Sequence, residues 1–179
     1  MDNLDIKIQA DRILYEFGLL KKIEEIGNAH IIGSYRMDMM VWNDLDIDVE
    51  NDAMSLDRLY ELSAFITNTF HPLWYEAKEE VNASGKRVWF HGFETKITGE
   101  LWNVDLWFFD KETISNAEFY CDIIIKNTSQ AQKAIIKDIK RELIKRGIYS
   151  FDKYKSVDVY KAVMENDVKD ISEFLALFN

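Results

Sequence analysis

Three aspartates at every second position, Asp44, Asp46 and Asp48, lie in the stretch HIIGSYRMDMMVWNDLDIDVE, residues 30–50, with Leu45, Ile47 and Val49 between them. On a β-strand, residues i and i+2 project from one face, so these carboxylates stand side by side. Neighbouring anions repel each other unless a cation sits between them. Such oxygen-rich sets suit Mg²⁺ or Mn²⁺, held through one or two carboxylates together with substrate phosphates. The plainer alternative is the solvated face of a charged edge strand. Gly33 and Ser34 precede Asp44 by a gap of nine residues. Gly33 lets the backbone approach a ligand closely. Ser34 offers a hydroxyl and an N–H where a short helix begins, and a helix N-terminus favours phosphate. A third carboxylate, Asp105, sits in ELWNVDLWFFD, residues 100–110, between Val104 and Leu106. An acid in so apolar a strand is costly unless paired or liganded. It shares a face with Leu101, Asn103, Trp107 and Phe109. Together the residues describe a place for a metal-bound nucleoside triphosphate.

The elements that must position these groups follow from periodicity. Apolar residues at Ile6, Ala10, Ile13, Leu14, Phe17, Leu20 and Ile23 predict a helix over 6–26, stopped by Gly27-Asn28. A short apolar run at 30–32 precedes Gly33, and 35–42 reads as a helical turn. Strict alternation predicts a strand over 44–50. Residues 55–70 read as a helix with Ser55 as N-cap, ended by His71-Pro72. Three strands are expected at 73–81, 86–97 and 100–109, with turns at Asn82, Ser84-Gly85 and Thr98-Gly99. Helices are expected at 114–125, 129–146, 156–165 and 168–178. Strands in the middle and helices at the ends predict an α+β fold, a mixed sheet flanked by helices. The organisation expected is a catalytic domain over 1–112 and a helical C-terminal cap over 113–179, forming one compact unit.

Composition narrows the classes. At 179 residues, with 47% apolar and 30% charged residues, the chain can build a core and is not of disordered type. A net charge of −10 repels phosphate backbones, so a nucleic-acid partner is not expected and a cationic small molecule is. Cys121 is the single cysteine, so no internal disulfide forms, and it reads as a buried thiol. Neither a leader nor an apolar membrane span is visible, which makes cytoplasmic the expected location and a membrane partner unexpected. His30, His71 and His91 show no zinc spacing. Trp74, Trp89, Trp102, Trp107 and Phe109 read mainly as core, with Trp42 a candidate site wall.

Gly33-Ser34, the nine-residue gap, Asp44-Leu45-Asp46-Ile47 and the downstream Asp105 resemble the nucleotidyltransferase superfamily, over about residues 6–110. The antibiotic nucleotidyltransferases and a group of uncharacterised bacterial nucleotidyltransferase-like proteins look nearest. VYKAVMENDVKDISEFLALF resembles the C-terminal helical pair of the latter. On the residues alone, Asp44/Asp46 and Asp46/Asp48 both fit a carboxylate pair. Matching the family phrase selects Asp44 and Asp46 as metal ligands, with Asp105 as the third carboxylate. The resemblance implies that Gly33 and Ser34 hold the triphosphate, and Arg36 is a candidate contact to its outer phosphates. Where many members carry a second glycine after Gly-Ser, this chain has Arg36-Met37-Asp38. Lys133 and Lys137 are further candidates, with solvated surface as their default reading.

The activity so implied is Mg²⁺- or Mn²⁺-dependent transfer of a nucleotide from an NTP, ATP first, to a hydroxyl of a small acceptor of aminoglycoside or lincosamide type. The rival readings are a non-catalytic nucleotide- or protein-binding domain and a protein adenylyltransferase of antitoxin type. A monomer or homodimer is expected.

Overall fold

The structure, a computed structural model, describes residues 3–82, 84–150 and 152–178. The outermost residues of the expected domain bounds, 1–2 and 179, lie outside that set. The first helical segment is α1 (Asn3–Asp11), which runs into a π-helical turn (Arg12–Glu16) and, after Gly18, α2 (Leu19–Glu24). One continuous helix over 6–26 is therefore not what forms. Gly18 adopts a left-handed conformation (φ 76°) that an α-helix cannot carry, and the chain bends there. Next come β1 (Ala29–Ile31), α3 (Gly33–Arg36), β2 (Asp44–Glu50) and α4 (Leu56–Phe70). The α3 turn begins at Gly33 itself and ends well short of residue 42. Ser55 caps α4, accepting a hydrogen bond from the Arg58 N–H at 3.3 Å.

Three strands follow, β3 (Trp74–Val81), β4 (Arg87–Ile97) and β5 (Glu100–Phe109). The two residues joining β4 to β5, Thr98 and Gly99, both have positive φ, as a tight hairpin turn requires. Four helices complete the chain: α5 (Lys111–Asn127), α6 (Gln130–Lys145), α7 (Ser156–Glu165) and α8 (Ile171–Ala176). Ser129 and Gln132 form a capping box at the start of α6.

The sheet order is β1-β2-β5-β4-β3. Only β2 and β5 pair in parallel; the other pairs are antiparallel. This is the mixed α+β sheet expected, and it settles one alternative. β2 lies between β1 and β5, and β5 between β2 and β4, so neither acidic strand is an edge. Two apolar clusters form. One packs α1, α2 and α4 against Leu45, Ile47, Val49, Phe93, Trp102, Val104 and Phe108 on one sheet face. The other gathers residues from α5, α6, α7 and α8 around Met37 and Met39, which come from the turn after α3. Asp44 and Asp46 project from the sheet's second face and line a cavity with Met37, Cys121 and Tyr160 of the second cluster.

Candidate active site

Pairing of β2 with β5 makes Asp46 and Asp105 direct neighbours and sets Asp44 opposite Asn103. The Asn103 amide donates to Asp44 Oδ1 at 2.8 Å. Asp44, Asp46 and Asp105 are thus brought together, as three positions of one small patch. Burial raises all three above the ordinary carboxylate range. For Asp46 the rise reaches about 7, through burial first and then the charges of Asp44, Asp105 and Asp48. The Asn103 hydrogen bond pulls Asp44 and Asp105 back down. Asp48, one step further along β2, faces His30 on β1 and is also pushed up to about 7, by burial.

The Gly33 turn closes over this patch. The Ile32 N–H donates to the Asp46 carbonyl at 3.1 Å, which ties the turn to β2. Gly33 has φ 63°, and a Cβ built there would collide with the Asp46 carboxylate. Glycine is required here twice over, for the backbone and for the contact. Ser34 is 7% exposed, and its Oγ is buried without a hydrogen-bond partner. A buried hydroxyl left unpaired is costly, and an incoming phosphate oxygen would pair it. Arg36 stands apart from the expected phosphate role. Its guanidinium donates to Glu118 and Asp122 of α5, each at 2.9 Å, and so clamps α3 to α5.

The solvated reading of Lys133 is overturned. Its ammonium donates to the Met37 carbonyl at 2.9 Å from a buried position. Lys137 lies 3.9 Å from Asp38. The cation that faces the carboxylates is Lys140, which is fully buried and donates to the Met39 carbonyl at 3.2 Å. Burial lowers its pKa to about 8, while Asp44 and Asp46 act in the opposite direction. A signal for it did exist. Lys133 and Lys140 stand seven residues apart on the same stripe as Ile136, Ile139 and Leu143, the apolar face of α6.

Two connected cavities open over the patch. One, of about 220 Å³, runs from Gly33, Ser34, Asp44 and Asp46 to Tyr120, Cys121 and Tyr160. The other, of about 240 Å³, lies between Trp42, Asp44, Tyr149, Lys155 and Ser156. Trp42, 42% exposed, walls both and packs edge-on against Tyr149 at 5.3 Å. Cys121 is a buried free thiol at the back of the first.

Among the described residues, no three or more His, Cys, Asp or Glu side chains are placed so that together they could hold a metal ion. Magnesium does not need such a set, because it keeps waters and substrate phosphates in its shell and takes only one or two carboxylates. The donor set fits such an ion: hard oxygen ligands, crowded enough to repel one another, beside an unpaired hydroxyl.

No protein-family model matches the chain, and no curated protein matches it. Solved structures do. They include a cytoplasmic RNA terminal U-transferase, 16% identical at a TM-score of 0.60, with 89% of this chain and 47% of that one covered. The Cid1 poly(U) polymerase is 14% identical at a TM-score of 0.61, with 88% and 48% covered. The non-canonical poly(A) polymerase complex GLD-2–GLD-3 gives 14% identity, a TM-score of 0.52 and coverage of 91% and 58%. The chain spans about half the length of the first two. These neighbours correct the expectation of a small-molecule acceptor with no nucleic-acid partner, because the proteins that share this architecture act on RNA or carry protein partners. A net charge of −10 bears on a long phosphate footprint and so does not exclude such a partner. Among the described residues no helix is long and apolar enough to cross a membrane. At the level of architecture the resemblance read from the motifs is borne out: the chain has the nucleotidyltransferase fold.

Proposed function

We propose that the protein transfers a nucleotide from an NTP to a hydroxyl at the end of an RNA strand. The observation that carries the reading is the register that makes Asp46 and Asp105 neighbours beneath Gly33 and Ser34. The RNA acceptor is suggested by the neighbours of this fold. Ser34 and the turn at Gly33 hold the triphosphate tail, which enters through the cavity walled by Trp42 and Tyr160. Asp44, Asp46 and Asp105 would hold Mg²⁺ or Mn²⁺, which supplies charge neutralisation and Lewis acidity when bound.

In the transfer step the acceptor oxygen attacks the α-phosphorus in line. The bond from that phosphorus to the bridging oxygen breaks, and pyrophosphate leaves with the electron pair. The acceptor proton passes to Asp105, whose raised pKa suits a general base. Lys140 moderates the negative charge of the patch, so that the carboxylates remain together in the folded chain.

The test uses α-labelled ATP, UTP, GTP and CTP with a short RNA in Mg²⁺, on wild type and Asp46→Asn. The expected result is a product one or more nucleotides longer, with ATP as the first nucleotide to try and UTP as its main rival. Asp46→Asn should abolish it while leaving the fold intact. A folded wild type that extends no RNA, and binds no NTP with Mg²⁺ by calorimetry, would overturn the reading and favour a non-catalytic domain.

A further inference from the structure

A third cavity, of about 380 Å³, shares Trp42 with the two over the carboxylates and none of their other lining residues. Its walls are Ile6, Val41, Trp42 and Leu101, and its polar groups come from Glu94, Asn43 and Asn103. Trp42 is therefore the wall common to this cleft and the two cavities over the carboxylates. Asn103 joins the compartments, since it lines the cleft and also bonds to Asp44. A transfer enzyme needs this plan, with two seats that meet at one reacting centre.

Glu94 gives the cleft its chemistry. It pairs with Asn103 in the β4–β5 register, while Gly92 pairs with Asp105. Glu94 and Asp105 are thus diagonal neighbours on the same sheet face, about 7 Å apart at the backbone and within reach of one ligand. The position directly beside Asp105 has no side chain to compete, because it is Gly92, and the rings of Phe90 and Trp74 lie over it. Among the described residues no hydrogen bond or ion pair engages the Glu94 carboxylate. A carboxylate accepts the hydrogen bond that a ribose hydroxyl donates, as acidic residues do for ribose in dinucleotide sites.

We infer that the cleft seats the terminal ribose of the acceptor strand, with Glu94 holding one hydroxyl of its 2′,3′-diol while the other faces Asp105. This rests on the nucleotidyl-transfer reading. The 2′-hydroxyl is the group by which a protein tells RNA from DNA at a given position. Glu94 is then a specificity residue: it selects a ribose end without taking part in bond making. Cavity size agrees with one nucleoside rather than a length of duplex, and it lets an acidic protein accept a strand end without a basic track.

The experiment measures binding of a fluorescent hexaribonucleotide and of the same strand ending in a 2′-deoxynucleotide, on wild type, Glu94→Ala and Glu94→Gln. Free adenosine and uridine serve as competitors, and Mg²⁺-NTP binding is measured on each protein in parallel. Wild type should prefer the diol end by about ten- to a hundred-fold, the effect of one hydrogen bond to a charged group. Glu94→Ala should bring that ratio close to one, with deoxy-ended binding and NTP binding kept; Glu94→Gln should retain part of the preference. Equal binding of both ends by wild type, or a preference that survives in Glu94→Ala, overturns the inference. Free nucleosides that compete as well as the strand would show that the diol belongs to a small molecule, and that too overturns it. NTP binding absent with the diol preference intact would sink the transfer reading and leave the cleft standing.

Discussion

On the face of the sheet that lies under α1, α2 and α4, β2 presents Leu45, Ile47 and Val49, all fully buried. On the other face the same seven residues present Asp44, Asp46 and Asp48, with carboxylates held above their ordinary range. β5 repeats the pattern, with Val104, Leu106 and Phe108 against the helices and Asn103, Asp105 and Trp107 on the far side. The difference teaches where stability is made and where it is given up. Apolar burial on one face, worth roughly 1.5–3 kcal/mol per large side chain, offsets the repulsion of acids crowded on the other. Strands edged by solvent could not hold such a patch; strands in the middle of the sheet can.

That contrast can be broken from either side. The largest effect should come from Asp46→Asn, which is expected to lower RNA extension by on the order of 10³-fold. In metal-free buffer above pH 7 the same variant should melt at a higher temperature than wild type, because it removes a buried anion from among like charges. A lower melting temperature would mean that the patch is not repulsive. Ile47→Ala, the next residue along, should do the reverse: a loss of about 2–5 kcal/mol in denaturant melts with nucleotide binding per folded molecule unchanged.

The two faces also answer pH with opposite signs. His91 is buried on the apolar face, where the Tyr75 hydroxyl meets its Nδ1 at 2.8 Å, and burial lowers its pKa to about 4. Its contribution is full above about pH 6.5 and is lost as pH falls towards 4, by about 3 kcal/mol. Asp46, raised to about 7, acts the other way: its cost is full above pH 7 and fades as pH falls towards 4. Asp48, also raised to about 7, adds to Asp46, so wild type without metal should gain stability on acidification from pH 7 towards 4. His91→Gln should gain more than wild type and Asp46→Asn less; parallel curves for all three would refute the assignment. The smallest effect expected is from Gly92→Ala, at about 1–3 kcal/mol, because a methyl group there meets Phe90 and Trp74, which must shift.

How much of this could be read in advance depended on whether the deciding contact was local. β2, β5 and α7 match their expected limits because period-2 alternation and helix spacing are written in neighbouring residues. The pairing of Asp46 with Asp105 is not local, and only the resemblance joined them. The break at Gly18 was missed because a glycine inside an apolar stripe looks the same whether it continues the helix or turns left-handed. Arg36 and Lys140 show the same limit for charge. Near Gly-Ser an arginine reads as a phosphate contact and a helical lysine reads as solvated. Their partners, Glu118 and Asp122 for one and the Met39 carbonyl for the other, lie far along the chain. Net charge was a poor guide to partners because it averages over a surface, whereas a site is chosen by a few groups.

Two lysines of α6, Lys133 and Lys140, end on the main chain at Met37 and Met39, two residues apart in one short connection. A single attachment would act as a hinge about which that connection could swivel. Two anchors a heptad apart take the swivel away and make the helix a strut. Residues 37–39 lead from the Gly33 turn towards β2, so the strut fixes the pitch at which Gly33 meets Asp46. Any ligand that needs that pitch altered must unseat both ammonium groups together, and any shift of α6 is delivered to the carboxylate patch undamped.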